Sequence, residues 1–303
     1  MRNLFVKTLI AEAEKDNRIW IITPDLGYSV LEPFAEKFPK RFINTGITEQ
    51  CAVGIASGLA LCGKIPYVYS IMPFVTSRPF EQVKVDCAYM NTNVRLVGVG
   101  GGFAYGPAGA THHSIDDLSI MRSLPNMAVV APGDLTETEE LTRYSVNHQG
   151  PMFIRLNRRG EPRIEHKVEF GKFSTIYDGN DFAIIVTSAM LEDAVKAVDE
   201  FHKVGKKPLL LSAHTIKPFD ENKVLELVKN NIPIITIEEH NIIGGLYSVT
   251  AEVIAKSGYS AKILPIAVPD KFSHYVGSQE YIKEKMGLTN LYQQITKFLS
   301  KII

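Results

Sequence analysis

Short apolar runs of strand length alternate along this chain with longer, mixed segments of helix length. Ile19-Trp-Ile-Ile-Thr, Arg41-Phe-Ile-Asn, Ile65-Pro-Tyr-Val-Tyr, Val94-Arg-Leu-Val-Gly-Val, Met127-Ala-Val-Val and Met152-Phe-Ile-Arg read as short buried strands. Between them, residues 48–62, 75–91, 116–123 and 135–148 are helix-length. Asp134 can cap the last of these, and Glu137, Glu139 and Glu140 suit its positive end. Residues 157–180 break the rhythm with the turn-rich stretches Asn-Arg-Arg-Gly-Glu-Pro and Asp178-Gly-Asn-Asp. A second series follows: Phe182-Ala-Ile-Ile-Val, helix 190–204, Pro208-Leu-Leu-Leu, helix 221–230, Pro233-Ile-Ile-Thr-Ile and helix 246–257. The pattern predicts an α/β protein of two domains, residues 1–160 and 178–303, each a largely parallel sheet flanked by helices.

Composition narrows the function classes. The 303 residues are 45% hydrophobic and 22% charged, ordinary values for a globular protein. Lysine plus arginine equals aspartate plus glutamate at 33 each, so charge gives no reason to expect nucleic acid or an anionic membrane as partner. Three cysteines, Cys51, Cys62 and Cys87, without CxxC spacing point away from a zinc site or a disulfide framework and toward a reducing compartment. Charged Glu12, Glu14 and Lys15 come too early for a signal peptide, and no apolar run approaches the ~20 residues of a membrane helix. A cytoplasmic protein is the expectation.

Candidate chemistry gathers where strand-like runs end. Open parallel sheets bind ligands outside the carboxyl ends of their strands. Gly46–Glu49, Pro73–Arg78 and Gly98–His113 each follow such a run, so they can converge on one rim although far apart in sequence. Glu49 opens an apolar helix-like segment; as a bland first-turn acid it would be stabilised by the helix dipole. The run from Gly98 to His113 is rich in glycine, which permits close backbone approach to a ligand or positive φ. It fits neither GxGxxG nor GxxxxGK[ST]. Its alternative reading is a flexible surface loop, but it ends in His112 and His113, which can hold or shuttle a proton near neutral pH. Phe74 and Phe80 are explained by core packing alone; in a ligand site Phe74 would stack on a flat ring and Arg78 would offer a forked donor to an anion. Arg155-Leu-Asn-Arg158-Arg159-Gly forms either a solvated basic turn or an anion site at a strand's carboxyl end.

These motifs together resemble the C-terminal half of transketolase, and still more that of 1-deoxyxylulose-5-phosphate synthase, over nearly the whole chain. Gly46-Ile-Thr-Glu49-Gln50 is similar to the family's pyrimidine-domain signature, and Gly109-Ala-Thr-His112 to its active-site histidine motif. Asp117-Leu-Ser-Ile-Met-Arg, Pro132-Gly-Asp134, Thr215-Ile-Lys-Pro-Phe-Asp, Glu238-Glu-His-Asn-Ile-Ile-Gly-Gly and Val268-Pro-Asp-Lys-Phe continue in the same order. The resemblance implies a thiamine diphosphate enzyme transferring a two-carbon ketol unit between sugar substrates. It implies that Glu49 shares a proton with the cofactor's aminopyrimidine, that Phe74 stacks on that ring, and that Ile47 belongs to the same cofactor site. It implies that His112 is catalytic and contacts the substrate oxygen, and that His113, Arg78 and Arg158 bind substrate with it.

In that family a Gly-Asp-Gly…Asn motif in an N-terminal domain holds magnesium and the diphosphate. No Gly-Asp-Gly occurs here, Gly133-Asp134-Leu being the nearest. The resemblance therefore implies the smaller subunit of a split transketolase, with an N-terminal subunit as partner. Magnesium would be anchored mainly by that partner, this chain would pair with a second copy through the pyrimidine-binding domain, and the whole would be a heterotetramer or similar assembly. Ala108 stands where the family usually has an aspartate that reads a sugar hydroxyl, and Gly100 and Gly101 where it carries a phosphate-contacting basic residue. The substrate is therefore expected to differ from the usual sugar phosphates. Two further readings stand beside this one: the β subunit of a 2-oxoacid dehydrogenase, and a non-catalytic scaffold on the same fold.

Overall fold

A computed structural model describes residues 1–158 and 160–302, so Arg159 of the basic turn lies outside the described residues. Twelve strands form two sheets among them. The chain makes β1 (Ile19–Thr23), β2 (Phe42–Asn44), β3 (Ile65–Ile71), β4 (Arg95–Val99), β5 (Ala128–Val130) and β6 (Met152–Leu156). It continues with β7 (Ser174–Tyr177), β8 (Ala183–Val186), β9 (Leu209–Ser212), β10 (Thr215–Lys217), β11 (Ile234–Asn241) and β12 (Ile263–Val268). The first sheet has the order β10-β5-β6-β4-β3-β1-β2 and the second β12-β11-β8-β9-β7. Every pairing is parallel except those of β10 with β5 and of β7 with β9. The α/β architecture read from the alternation is therefore present, with one antiparallel edge strand on each sheet.

Burial explains why these strands read as continuous apolar runs. Ile21 packs with the N-terminal helix Arg2–Lys15 and helix Leu135–Asn147 on one side of the first sheet, while its neighbour Ile22 packs with helix Glu49–Leu61 on the other. A strand covered on both faces needs apolar side chains at successive positions. The core containing Ile22 extends without interruption to Ile185, Leu211 and Val253 of the second sheet's layers. β10 contributes to this join. After β9 the chain leaves its own sheet and adds Thr215–Lys217 to the edge strand β5, with Thr215 opposite Val130. No strand was expected at this short segment.

Helix 135–148 starts as its composition predicts: Asp134 accepts a hydrogen bond from the Glu137 amide at 2.8 Å, and Glu137 reaches back to the Gly133 amide at 2.6 Å. The single helix expected over 75–91 is instead three pieces, Met72–Thr76, Phe80–Gln82 and a π-helical Val83–Tyr89. Pro79 is the physical reason, because it lacks an amide and disfavours helical backbone before it. The break has a consequence for the site, since it turns Arg78 out of the helical path.

Candidate active site

β2, β3, β4 and β6 run parallel, so the segments after them all emerge at the same edge of the first sheet. The segment after β2 carries Ile47 and Glu49, that after β3 Phe74 and Arg78, that after β4 Tyr105, His112 and His113, and that after β6 Arg158. Sequence-distant residues thus meet in a continuous row. Arg78 Nη1 donates to Glu49 Oε1 at 2.6 Å, and the Arg78 guanidinium lies 3.7 Å from the centre of the Phe74 ring. Phe74 meets His112 edge-on at 5.0 Å; His112 is 6.0 Å from Tyr105, and the Arg158 guanidinium lies 4.6 Å over the Tyr105 ring.

Glu49 is the first residue of helix Glu49–Leu61, with Thr48 at the cap position. The Thr48 hydroxyl donates to the Thr45 carbonyl rather than capping the helix. The Glu49 side chain is only 6% exposed, whereas that of Arg78 is 44% exposed. Ile47, two residues earlier, is 76% exposed, an aliphatic side chain standing open beside a buried acid. Thr111 Oγ1 lies 2.9 Å from His112 Nδ1 and orients that ring. His113 is buried, packs edge-on against Phe103 at 5.1 Å, and places Nε2 3.3 Å from the Gly106 carbonyl. Burial lowers the His113 pKa, favouring the neutral ring. The two histidines therefore diverge: His112 joins the row, while His113 braces the loop. Between that loop and the second domain lies a cleft of about 380 Å³, lined in part by His113, Asp116, Asn241, Asp270 and Lys271.

The glycines of the loop have a use that the sequence does not announce. Arg155 of β6, fully buried, donates from Nε to Asp117 Oδ2 at 2.7 Å, from Nη1 to Ser188 Oγ at 2.8 Å and from Nη2 to the Glu239 carbonyl at 3.1 Å. Glu239 in turn accepts from the Phe103 amide at 2.8 Å and from Gln279 at 2.6 Å. A Cβ at Gly101 would come within 2.5 Å of Arg155 Cζ, and one at Gly102 (φ +62°) within 2.5 Å of the Glu239 carboxyl. Gly101 and Gly102 are thus needed because the loop there lies directly on two of the protein's own buried charged side chains. The available signal was charge within apolar strands: Arg155 in Met-Phe-Ile-Arg-Leu and Glu238-Glu239 closing Ile-Ile-Thr-Ile.

Cofactor contacts on this chain would have to come from the buried Glu49 carboxylate and the Phe74 face. Together these suit a flat, nitrogen-bearing ring rather than a diphosphate. Asp134, Glu137 and His166 bring donor atoms within 4.8 Å of one another. Their oxygens are engaged: Asp134 accepts from the amides of Glu137 and Ile164, and Glu137 from the Gly133 amide and His166 Nε2. We read this group as interior hydrogen bonding at a helix start.

A largely parallel sheet with a buried acid, an aromatic face and a histidine beyond its strand ends, joined to a second α/β domain, defines a two-domain α/β architecture with a candidate ligand rim. The chain belongs to the transketolase family: residues 1–162 match its pyrimidine binding domain and residues 171–290 its C-terminal domain. It is 36% identical over 293 residues to a 6-deoxy-6-sulfo-D-fructose transketolase subunit of Clostridium sp. (strain MSTE9), covering 95% of this chain and 90% of that protein. It is also 36% identical over 289 residues to an apulose-4-phosphate transketolase subunit of Phocaeicola vulgatus, covering 90% and 92% respectively. A solved structure described as a split gene transketolase, inactive beta4 tetramer, superposes with a TM-score of 0.88 at 30% identity, over 99% of this chain and 96% of that one.

Proposed function

We propose that this chain is the small subunit of a two-chain, thiamine diphosphate-dependent transketolase that moves a two-carbon ketol unit between sugar or sugar-derived substrates. One observation carries the reading: Glu49 is buried at a helix start beside the aromatic face of Phe74 and on the same rim as His112, in a chain without a Gly-Asp-Gly motif. The similar proteins of matching length are named as transketolase subunits, which supports a separate N-terminal partner.

Thiamine diphosphate, when bound, would supply the electron sink for breaking a carbon–carbon bond next to a carbonyl. This chain's residues would do the rest on their side of the site. Glu49 would hold a proton against the ring nitrogen, and Phe74 would fix the ring plane. His112, oriented by Thr111, would donate to the substrate oxygen. Arg158 would meet an anionic end of the substrate. Magnesium and the diphosphate would fall to the partner, whose docking would cover the exposed Ile47 and exclude water.

The substrate is proposed to differ from ordinary pentose phosphates. The space a side chain at Gly100 would need is filled by the Tyr105 ring, 2.2 Å from an added Cβ, and that at Gly101 by Arg155. Efficient turnover of ordinary pentose phosphates would defeat this part. The central test is Glu49→Ala in the complex reconstituted with the N-terminal subunit. A loss of at least about a hundredfold in kcat/KM is expected, on the scale of general acid–base effects. Unchanged turnover would refute the role of Glu49.

A further inference from the structure

We infer that Arg78 is a resident occupant of the cofactor pocket, holding the place of the aminopyrimidine ring until loading displaces it. The inference rests on the function proposed above. A guanidinium is flat, delocalised and rich in N–H donors, and it stacks on aromatic faces. Arg78 uses both properties at once, 3.7 Å over the Phe74 ring and 2.6 Å from Glu49 Oε1. A flat ring that stacks on Phe74 and hydrogen-bonds Glu49 needs the same two partners. Phe74 is otherwise met by His112 at a steep 65° and 5.0 Å, so the broad contact on the ring is the one Arg78 holds.

The arrangement has a physical rationale. Glu49 is nearly buried, and a buried carboxylate without a partner is costly. Arg78 compensates it in the unloaded chain and keeps other flat molecules off Phe74. Its exit path is open, because its side chain is 44% exposed and faces solvent. The backbone need not follow: the Arg78 carbonyl accepts from Gln50 Nε2 at 3.3 Å, and Pro79 limits the next residue. A rotamer change alone exchanges the occupants, and it leaves a free guanidinium at the pocket mouth to meet the substrate.

Calorimetric titration of thiamine diphosphate with Mg2+ into the two-chain complex tests this. A pocket blocked about nine-tenths of the time raises the apparent Kd about tenfold, so Arg78→Met is expected to bind about tenfold tighter than wild type. Arg78→Lys keeps the charge without the flat face and should fall between them. Equal or weaker binding by Arg78→Met overturns the inference while leaving the proposed function standing. A wild-type complex that binds no cofactor overturns both. The isolated chain gives a second readout: the ring current of Phe74 should shift the Arg78 side-chain NMR resonances, and Phe74→Leu should abolish the shift. Resonances at ordinary positions in the wild type would show that the guanidinium does not sit in the pocket.

Discussion

Asp117→Ala should be among the most damaging substitutions in this chain away from the candidate site. Asp117 and Arg155 are 0% and 1% exposed, and the shorter of their bonds is 2.7 Å. Among the described residues, removing the aspartate leaves an interior guanidinium with Ser188 Oγ and the Glu239 carbonyl as its hydrogen-bond acceptors. Breaking a buried pair from one side costs about 3–5 kcal/mol, a large part of the 5–15 kcal/mol that holds a typical domain together. The loss should appear in urea denaturation followed by far-UV circular dichroism and by fluorescence of Trp20, the chain's one tryptophan. The double variant Asp117→Leu/Arg155→Met replaces both charges by apolar groups, and it should be more stable than Asp117→Ala alone. Because Gly101 lies on Arg155, the loop that carries His112 should also lose order. A cost for Asp117→Ala below about 1 kcal/mol, or a double variant worse than the single, would refute the argument that this pair is paid for by burial and geometry together.

Further outcomes follow from the same contacts. Gly101→Ala drives a Cβ into a guanidinium held by several bonds and should cost about 1–3 kcal/mol in the same denaturation assay, whereas Gly54→Ala, in a helix with nothing within 4 Å of the added Cβ, should gain about 0.5–1 kcal/mol. Burial pushes the Glu238 carboxyl up to about 7, against the stabilising amides of Leu246 and Tyr247. Between the ordinary 4.5 and about 7 the folded chain therefore binds more protons than the unfolded one, and stability falls as pH rises through that window. At 1.36 kcal/mol per pH unit the contribution is about 3 kcal/mol. Glu238→Gln should reduce the slope in denaturation midpoints measured from pH 4.5 to 7.5, leaving the share of Asp134 and Glu239, whose carboxyls burial also raises, and an identical slope would refute the assignment.

The alternation of strands and helices was legible because periodicity is local: a strand buried on both faces must be apolar at successive positions wherever it lies. Convergence of Glu49, Phe74, Arg78 and His112 on one rim was legible too, since parallel strands put their following segments at one edge. The N-terminal helix Arg2–Lys15 was not read from the pattern, although its buried Phe5, Leu9 and Ala13 recur every four residues and share one face. Helices Gln279–Lys285 and Leu291–Leu299 were not read from the pattern either.

Sequence by itself determined the α/β class and which residue types stand at the strand ends, because those depend on neighbours within a few positions. Tertiary structure alone decided what each of those residues touches. Arg78 bonds Glu49 across 29 positions, Gly102 lies on Glu239 from the other domain, and β10 crosses to the edge of the first sheet. Such pairings are set by packing between distant segments, where size, charge and burial must be satisfied together, and no local spacing encodes them.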